Sequence, residues 1–108
     1  FGAALAVELG IGFIPVRKAG KLPHQTLRRA YQLEYGEGVL ELHANTVGAR
    51  DRVLIVDDLL ATGGTAAAAE HLLRDAGADV TGSSFVVELS GLEGRHHLQG
   101  RVEALIHY

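Results

Sequence analysis

Four apolar residues in a row, three of them β-branched, run straight from Val53-Leu54-Ile55-Val56 into Asp57-Asp58, and a Gly63-Gly64 pair follows shortly after. A continuous run of this kind fits a strand of a parallel sheet buried on both faces, because a strand with one wet face would alternate apolar and polar residues. The next segment, Thr65–Ala76, sets Ala66, Ala69, Leu72, Leu73 and Ala76 on one side of a helix and stops at Gly77. Asp79–Glu88 then reads as a second strand with Phe85-Val86-Val87 at its apolar centre. Strand, helix, strand is the grammar of an α/β sheet, and these residues commit the chain to it.

The remaining segments are arranged around that unit. With 108 residues there is room for one domain only, so 1–108 are read as a single domain. Phe1–Leu9 reads as a buried helix through Leu5 and Leu9, closed by Gly10, and Ile11–Val16 as a strand. Between Arg17 and Leu33 the periodicity collapses. Five of the chain's 10 Lys and Arg residues (Arg17, Lys18, Lys21, Arg28, Arg29) fall there with no acid among them. Such a segment suits a mobile lid over a polyanion. Tyr31–Tyr35 and Val39–His43 flank Gly36-Glu37-Gly38 and predict a hairpin turning at the glycines, with Glu34 on the side opposite Tyr31, Leu33 and Tyr35. Residues 17–43 are therefore read as a lid and hairpin, and 53–76 as a strand-loop-helix. Ala44–Asp51 is a polar connection, Ser90–Gly100 a loop or short helical turn, and Val102–Tyr108 a last strand.

Composition narrows the function. Ten basic against 13 acidic residues give a net charge of −3, which provides no field for nucleic acid or an anionic membrane surface. The absence of cysteine excludes disulfides, thiolate metal sites and cysteine nucleophiles. The six histidines show no His-x3-His spacing and read as structural or solvated, so no metal site built from protein ligands is expected. Apolar stretches are short and broken by charge, and a cytoplasmic location is expected.

The chemistry concentrates in Val53–Thr65. In open α/β sheets ligands bind beyond the carboxyl ends of the strands, and this strand ends in two carboxylates and a glycine turn that opens a helix. Gly63 and Gly64 let the backbone come close to a ligand, so that N–H groups and the helix N-terminus hold a phosphate while Thr62 and Thr65 add hydroxyls. Asp57 and Asp58 suit vicinal sugar hydroxyls, or a Mg²⁺ bridged through water.

The full string Val53–Thr65 resembles the phosphoribosyl-diphosphate signature of type I phosphoribosyltransferases. With Val16-Arg17-Lys18-Ala19-Gly20-Lys21-Leu22-Pro23, Leu33-Glu34-Tyr35-Gly36 and Gly94-Arg95, the chain is similar to the adenine phosphoribosyltransferases along essentially its whole length. That resemblance implies a parallel sheet flanked by helices with a β-hairpin lid. It also implies transfer of ribose 5-phosphate from phosphoribosyl diphosphate to N9 of adenine, giving AMP and diphosphate, with Mg²⁺ bound mainly through the substrate's diphosphate and a homodimer as the assembly. By the same likeness Ala61, Thr62, Gly63, Gly64 and Thr65 hold the 5′-phosphate, Asp57 and Asp58 the ribose hydroxyls, and Leu59 lies against the base. Arg17, Lys18 and Lys21 meet the diphosphate, and Glu34 is the acid/base near purine N7.

Members of that family begin well before the position of Phe1, with a hood, a first core strand and an acid-Ser-Arg-Gly-Phe loop, none of which has a counterpart in these residues. Impaired turnover by this chain is the corresponding expectation. The competing reading is a regulatory module that binds a nucleotide or phosphoribosyl diphosphate without catalysis. Glu34 and the Arg17-Lys18-x-Gly-Lys21 run favour the enzyme, since a sensor needs neither.

Overall fold

The computed structural model describes the backbone of residues 1–18, 26–33, 36–43 and 47–108, and the side chains of 1–16 and 47–108. In chain order its elements are α1 (Gly2–Leu9), β1 (Arg17–Lys18), β2 (Thr26–Leu33), β3 (Gly36–His43), β4 (Arg52–Leu60), α2 (Gly64–Asp75), β5 (Asp79–Glu88) and β6 (Arg101–His107). Two 3-10 turns, Ser90–Leu92 and Gly94–His97, lie between the last two strands.

The unit that Val53–Val56 announces is present. β4, β5 and β6 form a parallel sheet in that order, and α2 crosses from β4 to β5. Because every strand runs the same way, the carboxyl ends lie along one edge. Leu60, Glu88 and His107 stand side by side there, and the turns after β4 and β5 open from it. One core cluster joins Leu72, Leu73, Ala68 and Ala69 of α2 to Val80 of β5, with Val53, Ile55, Ile14 and Val16 against it. Truncating a fully buried leucine such as Leu72 costs about 2–5 kcal/mol. A second, smaller cluster of Leu60, Ala66 and Phe85 lies directly under the turn after β4, with Leu98 and Val102 against it.

A separate antiparallel sheet has the order β1-β3-β2, and its β2 and β3 run beside α2. Among the described residues no helix is long and apolar enough to cross a membrane.

Several expectations are corrected. Ile11–Val16 is not a strand; it runs without ladder pairing, and the first strand is the two-residue β1. Its apolar side chains are used for packing instead, with Ile14 and Val16 against the core and Phe13 beside Gly2. The glycines do not form the predicted hairpin turn. Leu33 pairs with Gly36, Gln32 with Glu37 and Tyr31 with Gly38, so the glycines lie inside β3, and residues 34–35 lie outside the described residues. The segment of collapsed periodicity contains all of β2, since ladder bonds to β3 hold a strand there without an alternating pattern.

Helix α1 forms, capped by Gly10 at φ 67°, yet only Ala6 is buried, and Leu9 is 59% exposed among the described residues. β4 is likewise not covered on both faces. Val53 and Ile55 turn toward α2 while Leu54 is 48% exposed, because α2 covers one side and β4 stands at the sheet edge.

Candidate active site

Asp57, Asp58 and Leu59 occupy the last turns of pleat in β4, Ala61–Gly63 form the connecting turn, and Gly64 and Thr65 open α2. The structure therefore gathers nine consecutive positions at the carboxyl edge of the sheet. No side chain caps α2, so the N–H groups of its first turn have no partner from that source. Thr62 and Thr65 are exposed there, and the positive end of the helix favours an anion. Leu59 is 45% exposed, which leaves an apolar surface beside the acids.

The two carboxylates are not equivalent. The N–H of Asp58 donates to Asp57 Oδ1 at 2.8 Å. Desolvation pushes the Asp57 carboxyl above the usual carboxylate range. The Asp58 N–H pulls it back, and the neighbouring Asp58 carboxyl group and its charge push it up again. A raised acid of this kind gains from meeting hydroxyl donors or a cation.

The turn itself is built by close approach. Gly63 has φ 87° and is buried, and a Cβ placed on it would meet the backbone of Gly94, 3.0 Å from the carbonyl carbon and 3.1 Å from Cα, with the carbonyl oxygen nearer still. A Cβ on Gly94 would in turn lie against the Ala61 carbonyl oxygen and 3.0 Å from both Gly63 N and the Thr62 carbonyl carbon. Two glycines thus fit back to back, with one face of the turn closed by Gly94.

Arg17 and Lys18 form β1, opposite Glu41 and Leu40 of β3 in the antiparallel sheet that borders α2. Lys21 and Glu34 lie outside the described residues.

With this geometry in view, comparison with solved structures is direct. The chain superposes with a TM-score of 0.96 on the adenine phosphoribosyltransferase of Thermoanaerobacter pseudethanolicus, at 50% identity, covering 100% of this chain and 63% of that one. The chain belongs to the adenine phosphoribosyltransferase family. It is 55% identical over 109 residues to the adenine phosphoribosyltransferase of Methylococcus capsulatus, matching 100% of this chain and 64% of the relative. The Saccharomyces cerevisiae adenine phosphoribosyltransferase, solved with an imino-altritol bisphosphate and adenine, is 47% identical with a TM-score of 0.94, over 97% of this chain and 60% of its own. This family member therefore spans less than two thirds of the length of these relatives. No family model matches it.

The back wall of the turn is not marked by the sequence motifs. Gly94 and Arg95 were visible as part of the family pattern, but the contact of Gly94 with Ala61–Gly63 joins residues some thirty positions apart. The available signal was the acid at the end of an apolar strand, Val86-Val87-Glu88, with an arginine seven residues on. A buried carboxylate needs a cation.

Proposed function

We propose that this chain carries the phosphoribosyl-binding core of an enzyme that joins adenine to the ribose 5-phosphate of phosphoribosyl diphosphate, giving AMP and diphosphate, with soluble substrates in the cytoplasm. The observation that carries the reading is the juxtaposition at one sheet edge of two exposed carboxylates and an uncapped, glycine-built helix entrance. That pairing matches a sugar with a phosphate on it, and the yeast relative holds adenine and a bisphosphate.

In this proposal the N–H groups of the Ala61–Thr65 turn hold the 5′-phosphate, and the Thr62 and Thr65 hydroxyls complete its shell. Asp57 and Asp58 accept from the ribose hydroxyls and fix the sugar. Leu59 gives the base an apolar face. As the bond from C1′ to the diphosphate oxygen breaks, its electron pair leaves with the diphosphate, and N9 forms the new bond to C1′. The purine gives up one proton, with Glu34 as the acid/base on its N7 side. Arg17, Lys18 and Lys21 meet the departing diphosphate. Holding the sugar and neutralising the leaving group contribute most to such a loose reaction centre.

A divalent ion fits this donor set as a partner of the substrate. Mg²⁺ is commonly held by one or two carboxylates together with phosphates, and Asp57 and Asp58 supply such a pair. Among the described residues no group of three or more acids and histidines forms a cage for it. When bound, the ion would offset charge on the diphosphate. The working assembly in this reading is a homodimer.

Titration calorimetry with AMP, comparing the parent with Gly64→Val, tests the phosphate assignment. A valine side chain at the helix entrance should remove at least one charge-assisted hydrogen bond, each worth about 1.5–3 kcal/mol, and so weaken binding tenfold or more. Equal affinity would place the phosphate elsewhere.

A further inference from the structure

Glu88 has no part in the roles assigned so far, yet it is the most deeply buried acid at the site edge, 2% exposed. It ends β5 between Leu60 of β4 and His107 of β6. Arg95 clasps its carboxylate through two bonds, Nε donating to Oε2 at 2.8 Å and Nη2 to Oε1 at 2.6 Å, and His107 Nδ1 lies 3.0 Å from Oε1. A fork of this type fixes the plane and distance of the guanidinium in a way that a single ammonium contact does not.

The position of Arg95 in the chain gives that clasp a consequence. Its neighbour is Gly94, the residue whose backbone lies against Ala61, Thr62 and Gly63 without room for a Cβ. On the other side of Gly94, Glu93 holds φ 53°, a left-handed conformation that side-chain-bearing residues adopt only under restraint from their surroundings. Further bonds fix the ends of the segment: Ser90 N donates to the Tyr108 carbonyl at 2.9 Å and Gln99 N to Glu70 Oε1 at 2.9 Å. The fork of Arg95 anchors its middle, next to the glycine that touches the turn.

We propose that the Glu88–Arg95 pair is a positioning device for the phosphate-binding turn: anchored to the end of β5, it seats Gly94 against Ala61–Gly63 and thereby sets the spacing of the N–H groups on the ligand side. The proposal rests on the reading that this turn holds a phosphate. Arg95 and Glu88 act through Gly94 and touch no substrate atom. Their effect belongs to the geometry of the free protein, before any ligand arrives.

The test uses the 108-residue chain, with Arg95→Lys to keep the charge and lose the fork. A double variant, Glu88→Gln with Arg95→Met, removes both charges without stranding a buried carboxylate. Val80→Ala, in the other core cluster at the far end of β5, is the control for a general loss of stability. Two readouts are taken: amide resonances of Ala61–Thr65 in the free protein, and the Kd for AMP. Both Arg95 variants should shift the turn amides and weaken AMP binding at least fivefold, while Val80→Ala lowers Tm and changes neither. Turn amides and Kd that match the parent in both Arg95 variants would overturn the proposal, as would an equal disturbance from Val80→Ala. If the parent chain itself fails to bind AMP, the phosphate reading falls, and the amide comparison alone supports or overturns the positioning role.

Discussion

Replacing Gly63 with alanine adds a single methyl group, and the structure assigns it two separate costs. At φ 87° the residue occupies the left-handed region, which an L side chain enters at a cost of about 1–2 kcal/mol. The new Cβ also lands 3.0 Å from the Gly94 carbonyl carbon and 3.1 Å from its Cα, and both are backbone atoms that cannot rotate away. Overpacking of this kind costs about 1–3 kcal/mol, so the total comes to about 2–5 kcal/mol against a stability that for small domains is about 5–15 kcal/mol. Gly94→Ala carries the steric cost alone, about 1–3 kcal/mol, because its φ is ordinary. Gly12 is the control: nothing lies within 4 Å of a Cβ there, so Gly12→Ala should be neutral or stabilising by about 0.4–1 kcal/mol. Urea unfolding at constant slope separates the three. With a slope of about 2 kcal/mol per molar, the Gly63→Ala midpoint should fall by about 1–2.5 M, and Gly94→Ala should fall less. A Gly63→Ala midpoint within error of Gly12→Ala would refute the back-to-back fit of the two glycines.

Other outcomes follow from the charges at the site. Asp57 carries a raised pKa in the folded state, so its charge opposes folding above that pKa and the penalty fades as pH falls toward the ordinary carboxylate range. Asp57→Asn should therefore raise Tm at pH 7 while weakening phosphoribosyl diphosphate binding at least tenfold, read by thermal melts and calorimetry on the same samples. Glu88 behaves in the opposite sense. The bonds from Arg95 hold its pKa below the ordinary value against the pull of desolvation, so it stabilises the fold above that ordinary value and the contribution is lost as pH falls through the lowered pKa. Glu88→Gln should flatten the acid limb of a Tm-against-pH curve, and an unchanged limb would count against the clasp. In a chain extended to the length of its relatives, Glu34→Gln should lower kcat at least tenfold with phosphoribosyl diphosphate affinity nearly unchanged, whereas equal turnover would remove Glu34 from the acid/base role.

The contrast between β4–α2–β5 and the rest of the chain shows where local information was sufficient. Val53–Val56, the spacing of Ala66, Ala69, Leu72 and Leu73, and the Gly63-Gly64 break each express a preference of a few neighbouring residues, and all three agree on one unit. The acids and the turn inherit their place at the sheet edge from that agreement, because in a parallel sheet the loop after each strand emerges on the same side. The family pattern was legible for the same reason, being carried by contiguous strings.

What failed to show locally was anything decided by a partner distant in the chain. Ile11–Val16 has strand-forming residues, but a strand needs a neighbour to bond, and the structure uses these side chains against the core instead. Residues 26–33 lack an alternating pattern and become a strand because β3 supplies the ladder. The identical glycines of the sequence acquire different duties only in the fold: Gly36 and Gly38 lie in a ladder, while Gly63 and Gly94, remote in sequence, must both lack a Cβ because their backbones touch. Glu88 reads as the polar end of an apolar strand. Only when β6 and the Gly94–His97 turn close over it does its carboxylate lose water and take Arg95 as its partner, since burial cost and ion pairing depend on what surrounds a charge and not on its neighbours along the chain.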